Sequence, residues 1–306
     1  MPASDLRITP GDWLRLVVLS VMWGGSFFFV GVAVREVPPM TIVLVRTALA
    51  ALLLAPLLWV YRIDAPRTLA GWWPFAVMAL LGIVIPFTLT AMGQTYIPSG
   101  IASVVNAMTP VFTVLVLAAF GDERLLPRRA VGVLLGFAGV LILQGVEMDF
   151  GSVQSLGILL CLAATVSYGF SALWAKRALT GVPPIAAATF QFVCASVMML
   201  VMSAIFDRPW QLPMPSAATW LALIGLAAIS TALGFILFFQ IIRGSGAGNV
   251  MLVTLLVPVT AILLGAAVLG ETVTTREIVG ALVIASALVI MDGRILTRLA
   301  MRRASA

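Results

Sequence analysis

The sequence predicts an all-α integral membrane protein, with ten transmembrane helices arranged as two inverted five-helix repeats. Three observations predict it. Of 306 residues, 62% are hydrophobic and 10% charged, with a mean hydropathy of +1.14. A water-soluble chain of this length needs far more charge for its surface. Apolar runs follow one another through short polar joints, and a membrane-crossing helix takes roughly 17–25 residues. Lastly, one pattern occurs twice. Asn106, Pro110, Glu123, Arg128 and Gly132 return 148 positions on as Thr254, Pro258, Glu271, Arg276 and Gly280. Trp23-Gly24-Gly25-Ser26 and Pro38-Pro39 return 145 positions on as Tyr168-Gly169-Phe170-Ser171 and Pro183-Pro184. The repeats occupy residues 1–148 and 149–306. A unit that crosses a bilayer five times sets its copy upside down, the usual plan of alternating-access transporters.

The first span, about 13–34, is full length and lacks a small-residue cleavage site near its end, so it reads as an anchoring helix and not as a cleavable signal. One side of it carries Trp23, Ser26, Phe27 and Val30. The second, about 40–60, starts at the Pro38-Pro39 pair, where proline suits a first helical turn, and holds Arg46. The third, about 72–93, brings Phe87 and Thr90, with Gln94 just past its end. In the fourth, about 99–120, Ser99, Ser103, Asn106, Pro110 and Thr113 fall at helical spacing on one stripe. The fifth, about 128–145, shows a close-packing face of Gly132, Gly136 and Gly139. The sixth, about 155–175, places Ser167, Ser171 and Trp174 on one face with Tyr168 beside it. The seventh, about 184–206, opens on the second proline pair and carries Gln191 where the first repeat has Arg46. Thr231, Phe235 and Phe238 lie in the eighth, about 217–242. The ninth, about 247–269, repeats the stripe of the fourth as Thr254, Pro258, Ala261 and Gly265. The tenth, about 275–292, is nearly bare of polar groups, like the fifth, and both are expected at the periphery, against the core or a second subunit of a homodimer.

Basic residues orient the spans. Fourteen of them (Arg7, Arg15, Arg62, Arg67, Arg124, Arg128, Arg129, Lys176, Arg177, Arg243, Arg294, Arg298, Arg302 and Arg303) fall on the side that holds both termini, against Arg35, Arg208 and Arg276 opposite. Both termini are therefore expected in the cytoplasm. The net charge of +6 is spread over short loops and the tail, which argues against nucleic acid as a partner. Histidine is absent, and Cys161 and Cys194 lie inside apolar stretches as small buried hydrophobes. No phosphate loop, metal-ligand spacing or catalytic triad appears, so no cofactor, metal or enzymatic activity is expected.

A helix that faces only lipid has no use for polar side chains. Six helices carry aromatic surface with scattered neutral hydrogen-bonding groups, and together these predict a substrate cavity of Trp23, Ser26, Phe27, Thr90, Gln94, Ser103, Asn106, Tyr168, Ser171, Trp174, Gln191, Phe235, Phe238 and Thr254. Taken singly, each also fits ordinary packing or an interfacial aromatic belt. Pro110 and Pro258 strip the carbonyls of Asn106 and Thr254 of their helical hydrogen bonds, which makes hinges, or simple packing kinks, at equivalent mid-membrane points. Arg46 is the intramembrane charge and needs a partner. That partner is a substrate carboxylate or a tie to backbone carbonyls near a helix end; the position, two turns into its helix, favours the tie. Glu123 and Glu271 precede the fifth and tenth helices and read as structural clamps, paired with Arg128 or Arg276. No Asp, Glu or His lies mid-span, so proton-coupled export of cationic drugs is not expected; the cavity suits an uncharged or zwitterionic solute with an apolar body.

Met108-Thr109-Pro110-Val111-Phe112 to Gly121-Asp122-Glu123, and Leu256-Val257-Pro258-Val259-Thr260 to Leu269-Gly270-Glu271, resemble the paired signatures of the EamA family, within the drug/metabolite transporter superfamily. Trp23-Gly24-Gly25-Ser26, the proline pairs and Val45-Arg46-Thr47 resemble its first- and second-helix patterns. The first copy departs from the usual Leu-Gly-Glu with Gly121-Asp122-Glu123. The resemblance implies a multi-pass bacterial inner-membrane permease, with four helices of each half around a central path and the fifth peripheral. It also implies export of small metabolites such as amino acids, aromatic ones first. A membrane receptor or scaffold that binds a ligand without moving it is the alternative from another class, and a permease for a different drug-like solute the alternative within this one.

Overall fold

In lipid a backbone can satisfy its own polar groups by coiling into helices, and helices joined by turns are what these apolar runs form. The computed structural model describes residues 10–123, 125–144, 152–245 and 253–292. Along the chain lie α1 (Pro10–Ala33), α2 (Pro39–Val60), α3 (Leu69–Gly93), α4 (Ser99–Ala119) and α5 (Pro127–Gln144). There follow α6 (Val153–Ala178), α7 (Pro184–Phe206), α8 (Ala217–Gly225, continuing through Leu226–Leu233 to Gly234–Ser245), α9 (Val253–Leu269) and α10 (Thr275–Asp292). Seven of them, α1 to α4 and α6 to α8, are long and apolar enough to cross a membrane; α9 is a shorter apolar helix. The described ends lie within three residues of the expected ones. The expected start of the ninth helix, at 247, falls outside the described residues.

Local chemistry sets these ends. Pro39 and Pro184 open α2 and α7, where a missing N–H costs nothing. Hydroxyl caps start α3 (Thr68 accepting from the Gly71 N–H), α6 (Ser152 from Ser155) and α8 (Ser216 from Thr219). Thr274 and Glu277 form a reciprocal capping box at α10. Large side chains such as Leu52, Leu53, Leu200, Val201, Leu221 and Leu282 stay exposed on the outer faces. So much exposed apolar surface belongs against lipid.

The main helix pairings are unchanged when the two halves of the chain are exchanged. α1 packs on α9 as α6 packs on α4, α3 on α6 as α8 on α1, and α2 on α8 as α7 on α3. α2 with α7, α4 with α9 and α5 with α10 pair across the halves. Close approach explains conserved spacing at two places. A Cβ on Gly24 would meet Thr260 and the Val257 carbonyl, and one on Gly169 would meet the Phe112 carbonyl and Val116. These are the same crossing in each half. Gly132 lies against the Ala287 carbonyl and Gly280 against that of Gly139, so Gly132 and Gly139 of the α5 face are spent on α10 of the same chain, while Gly136 lies against Met108 and Val111 of α4. The non-glycine residues with positive φ among those described are Arg62 (52°) and Arg208 (49°), which end α2 and α7.

Two features were not expected. α3 widens into a π turn at Leu80–Val84 and α8 at Leu226–Leu233, again at matching points. In α3 the Ile85 N–H bonds back to Leu80, and Pro86 has no N–H to offer the next carbonyl. The two proline sites also differ. α4 stops at Asn106 and restarts at Thr109, whereas α9 runs helically through Pro258. The Asn106 carbonyl is not left unpaired as expected, because the Thr109 hydroxyl donates to it at 2.7 Å.

Candidate functional site

Arg46 sits two turns into α2, buried between α2, α3 and α8. Its Nε donates to Thr231 Oγ1 at 2.9 Å, and that hydroxyl donates to the Leu226 carbonyl at 2.7 Å, five residues back. The π widening of α8 thus turns Thr231 toward the guanidinium. Arg46 Cζ stands 3.7 Å from the centre of the Phe87 ring, a desolvated cation–π contact. Tyr168 on α6 lies within electrostatic reach. The expected tie to backbone carbonyls is not found: among the described residues Arg46 has no bond to a carbonyl and no ion pair. A hydroxyl from the other half of the chain and an aromatic face hold it instead.

Aromatic rings gather on the α1–α8 side. Trp23 is 5.3 Å from Phe238 and 6.3 Å from Phe235, and Phe192 of α7 meets Phe235 edge-on at 5.1 Å. Phe27 is buried in the same core as these helices. Gln191 is buried next to Phe192 on α7. Phe87 and Thr90 of α3, and Gln94 just past its end, follow one stripe. Thr90 Oγ1 and both amide atoms of Gln94 are buried without a hydrogen-bond partner, as is Ser230 Oγ beside Thr231. Such atoms are costly unless something pairs them.

Other expected residues serve packing. Ser167 donates to the Leu81 carbonyl (2.7 Å), the one left without a donor by Pro86. Ser171 contacts Met78 Sδ (3.4 Å) and the Trp174 indole donates to the Pro74 carbonyl (2.9 Å). The polar face of α6 is therefore its seam with α3. Ser103 is bonded to Gly100 of its own helix. Ser26, Asn106 and Thr254 are half-buried on α1, α4 and α9. The sequence reading missed Phe192, Ser230 and the depth of the Thr231 contact; the adjacent Ser230-Thr231 pair in an apolar run was the available signal.

Carboxylates lock one end of the bundle, each crossing from one half to a helix start in the other. Asp207 accepts from the Thr41 N–H (2.7 Å) and hydroxyl (2.8 Å) at α2. Glu36 accepts from the Ser216 N–H (2.7 Å) and hydroxyl (2.8 Å) at α8. Those donors hold its carboxyl below the usual carboxylate range. Glu271 accepts from Ser99 N–H (2.9 Å), Ser99 Oγ (2.8 Å) and Gly100 N–H (3.3 Å) at α4. It does not pair with Arg276, because the left-handed turn at Gly270 (φ 69°) swings it toward α4. Beside it a shallow crevice is lined by Ile101, Val104, Ile262 and Glu277 among others, away from the aromatic cluster. At the other end of α4, Glu123 pairs with Arg129 and not Arg128, while Asp122 accepts from Arg177 (2.9 Å) and its carbonyl from Lys176 (3.0 Å). Glu123 and Glu271 thus stand at opposite ends of one helix of 21 residues, about 30 Å apart at 1.5 Å per residue.

A family model described as the EamA-like transporter family matches twice, over residues 11–144 and 155–291. The uncharacterized transporter YvbV of Bacillus subtilis (strain 168) is 26% identical over 279 residues, 91% of this chain and 90% of its own length. The uncharacterized inner membrane transporter YedA of Escherichia coli (strain K12) is 27% identical, covering 86% of this chain and 84% of its own. A probable amino-acid metabolite efflux pump of Salmonella typhimurium (strain LT2) is 28% identical over 91% of this chain and 94% of its own. A solved crystal structure superposes over 94% of this chain and 99% of its own with a TM-score of 0.66 at 19% identity, which speaks for the fold alone.

Proposed function

The chain belongs to the EamA-like transporter family, and from that premise we propose that it exports small amphipathic metabolites, amino acids among them, across the bacterial inner membrane by alternating access. In this reading ten helices form two inverted halves, with both termini in the cytoplasm. The observation that carries it is the exchange symmetry of the helix contacts, in which Gly24 crosses α9 as Gly169 crosses α4. Two equal, oppositely set bundles can rock about their shared seam, opening one end as the other closes. The carboxylate locks of Asp207, Glu36 and Glu271 form one gate, and the Asp122–Arg177 contact belongs to the other.

The amino-acid preference draws support from the named efflux pump among the relatives and from the aromatic cluster of Trp23, Phe235 and Phe238. The absence of acidic groups mid-span disfavours cationic drugs. Purified protein in proteoliposomes, loaded with a panel of radiolabelled amino acids, tests the proposal. Saturable counterflow of apolar or aromatic amino acids is expected. Binding without flux for the whole panel would leave a receptor and not a transporter.

A further inference from the structure

We propose that Arg46 is an anion site, and that it holds the carboxylate of the transported solute. The guanidinium has five N–H donors. Its Nε is committed to Thr231 and its face to Phe87, and no ion pair or further hydrogen bond engages it among the described residues. The two terminal nitrogens form a planar fork suited to bidentate binding of a carboxylate. A buried cation with no counter-charge is costly, and α2 has no Asp or Glu to offset it. An anion brought by the solute supplies what the protein withholds.

The surroundings point the same way. The buried orphan atoms lie on the same helices as the groups that hold Arg46: Thr90 one turn along α3 from Phe87, Gln94 just past the end of α3, and Ser230 on α8. These are neutral donors and acceptors, able to bind the remaining polar atoms of an amino acid. Phe192 and the Trp23–Phe235–Phe238 cluster lie on the adjoining helices α7, α1 and α8, on the side where an apolar body would rest. Thr231 comes from the second half and Phe87 from the first, so the fork is held across the seam at which alternating access would occur.

The inference rests on the transport reading for the identity of the solute, but its test does not need transport. Binding of 3-phenylpropionate and of its neutral isostere 3-phenylpropionamide to the full chain in detergent is measured by calorimetry. Wild type is expected to prefer the acid about tenfold or more, as for a bidentate charge-assisted pair. Arg46→Gln should bring the two within about twofold of each other. Thr231→Val, which keeps the cation but frees it to swing, should weaken the acid several-fold; it serves if Arg46→Gln does not fold. Equal affinities in wild type, no binding of either compound, or a preference that survives Arg46→Gln would overturn the proposal. Flux of amino acids with no preference for the acid sinks this inference and leaves the transporter. A preference with no flux does the reverse.

Discussion

Ser167 is a single hydroxyl with a specific debt to settle. Pro86 leaves the Leu81 carbonyl without its helical donor, and Ser167 supplies one from α6. Ser167→Ala therefore exposes a buried acceptor and is expected to destabilise the protein by about 1 kcal/mol. Ser103→Ala, whose hydroxyl bonds only within its own turn, should cost less. Thermal unfolding of the two variants in the same detergent separates them; equal midpoints would remove the repair role. At this scale the sequence was half legible. Helical spacing correctly set Ser167, Ser171 and Trp174 on one face. Spacing says nothing of what covers that face, and α3 covers it. For Arg46 the sequence revealed a charge out of water but not its holder. Thr231 is 185 positions away and reaches it from the π-widened stretch of α8.

Among the elements, the starts of helices were the easiest to read, since Pro39, Pro184 and the hydroxyl caps act on their immediate neighbours. The π turns were not readable from hydropathy, because widening a helix by one residue leaves its apolar length unchanged. The lock on α4 shows how one element depends on another's smallest residue. A Cβ on Gly265 would fall 2.2 Å from Glu271 Oε2 and 2.8 Å from Ser99 Oγ. Gly265→Ala must therefore push the carboxylate off the first amides of α4, which have no intrahelical partner of their own. Hydrogen exchange at residues 99–101 is expected to speed up, as it should in Glu271→Gln, with the start of α2 unaffected because Asp207 locks it separately. Unchanged exchange at α4 in both variants would mean that the lock contributes nothing to that end.

For the molecule as a whole, duplication was legible because both copies had to keep the same helix crossings, and those crossings need Gly24 and Gly169, Gly132 and Gly280 at fixed spacings. The copies differ at Arg46 against Gln191, and at a broken α4 against a continuous α9. The proposed inversion relative to the membrane makes a sharp demand on two residues that are locally alike. Arg62 and Arg208 both end the second helix of their half in the left-handed conformation. Packing puts Arg208 beside Asp207 and the α2 start, at the end locked by carboxylates. Arg62 follows the other end of α2, with α2 about 33 Å long at 1.5 Å per residue for its 22 residues. In the proposed orientation the excess of basic residues places the Arg62 side in the cytoplasm. In intact cells a membrane-impermeant maleimide should label Arg208→Cys, and should label Arg62→Cys only after permeabilisation, with Cys161 and Cys194 replaced by Ala beforehand. Labelling of both from the same side would remove the inversion, and with it the symmetric rocking on which alternating access depends.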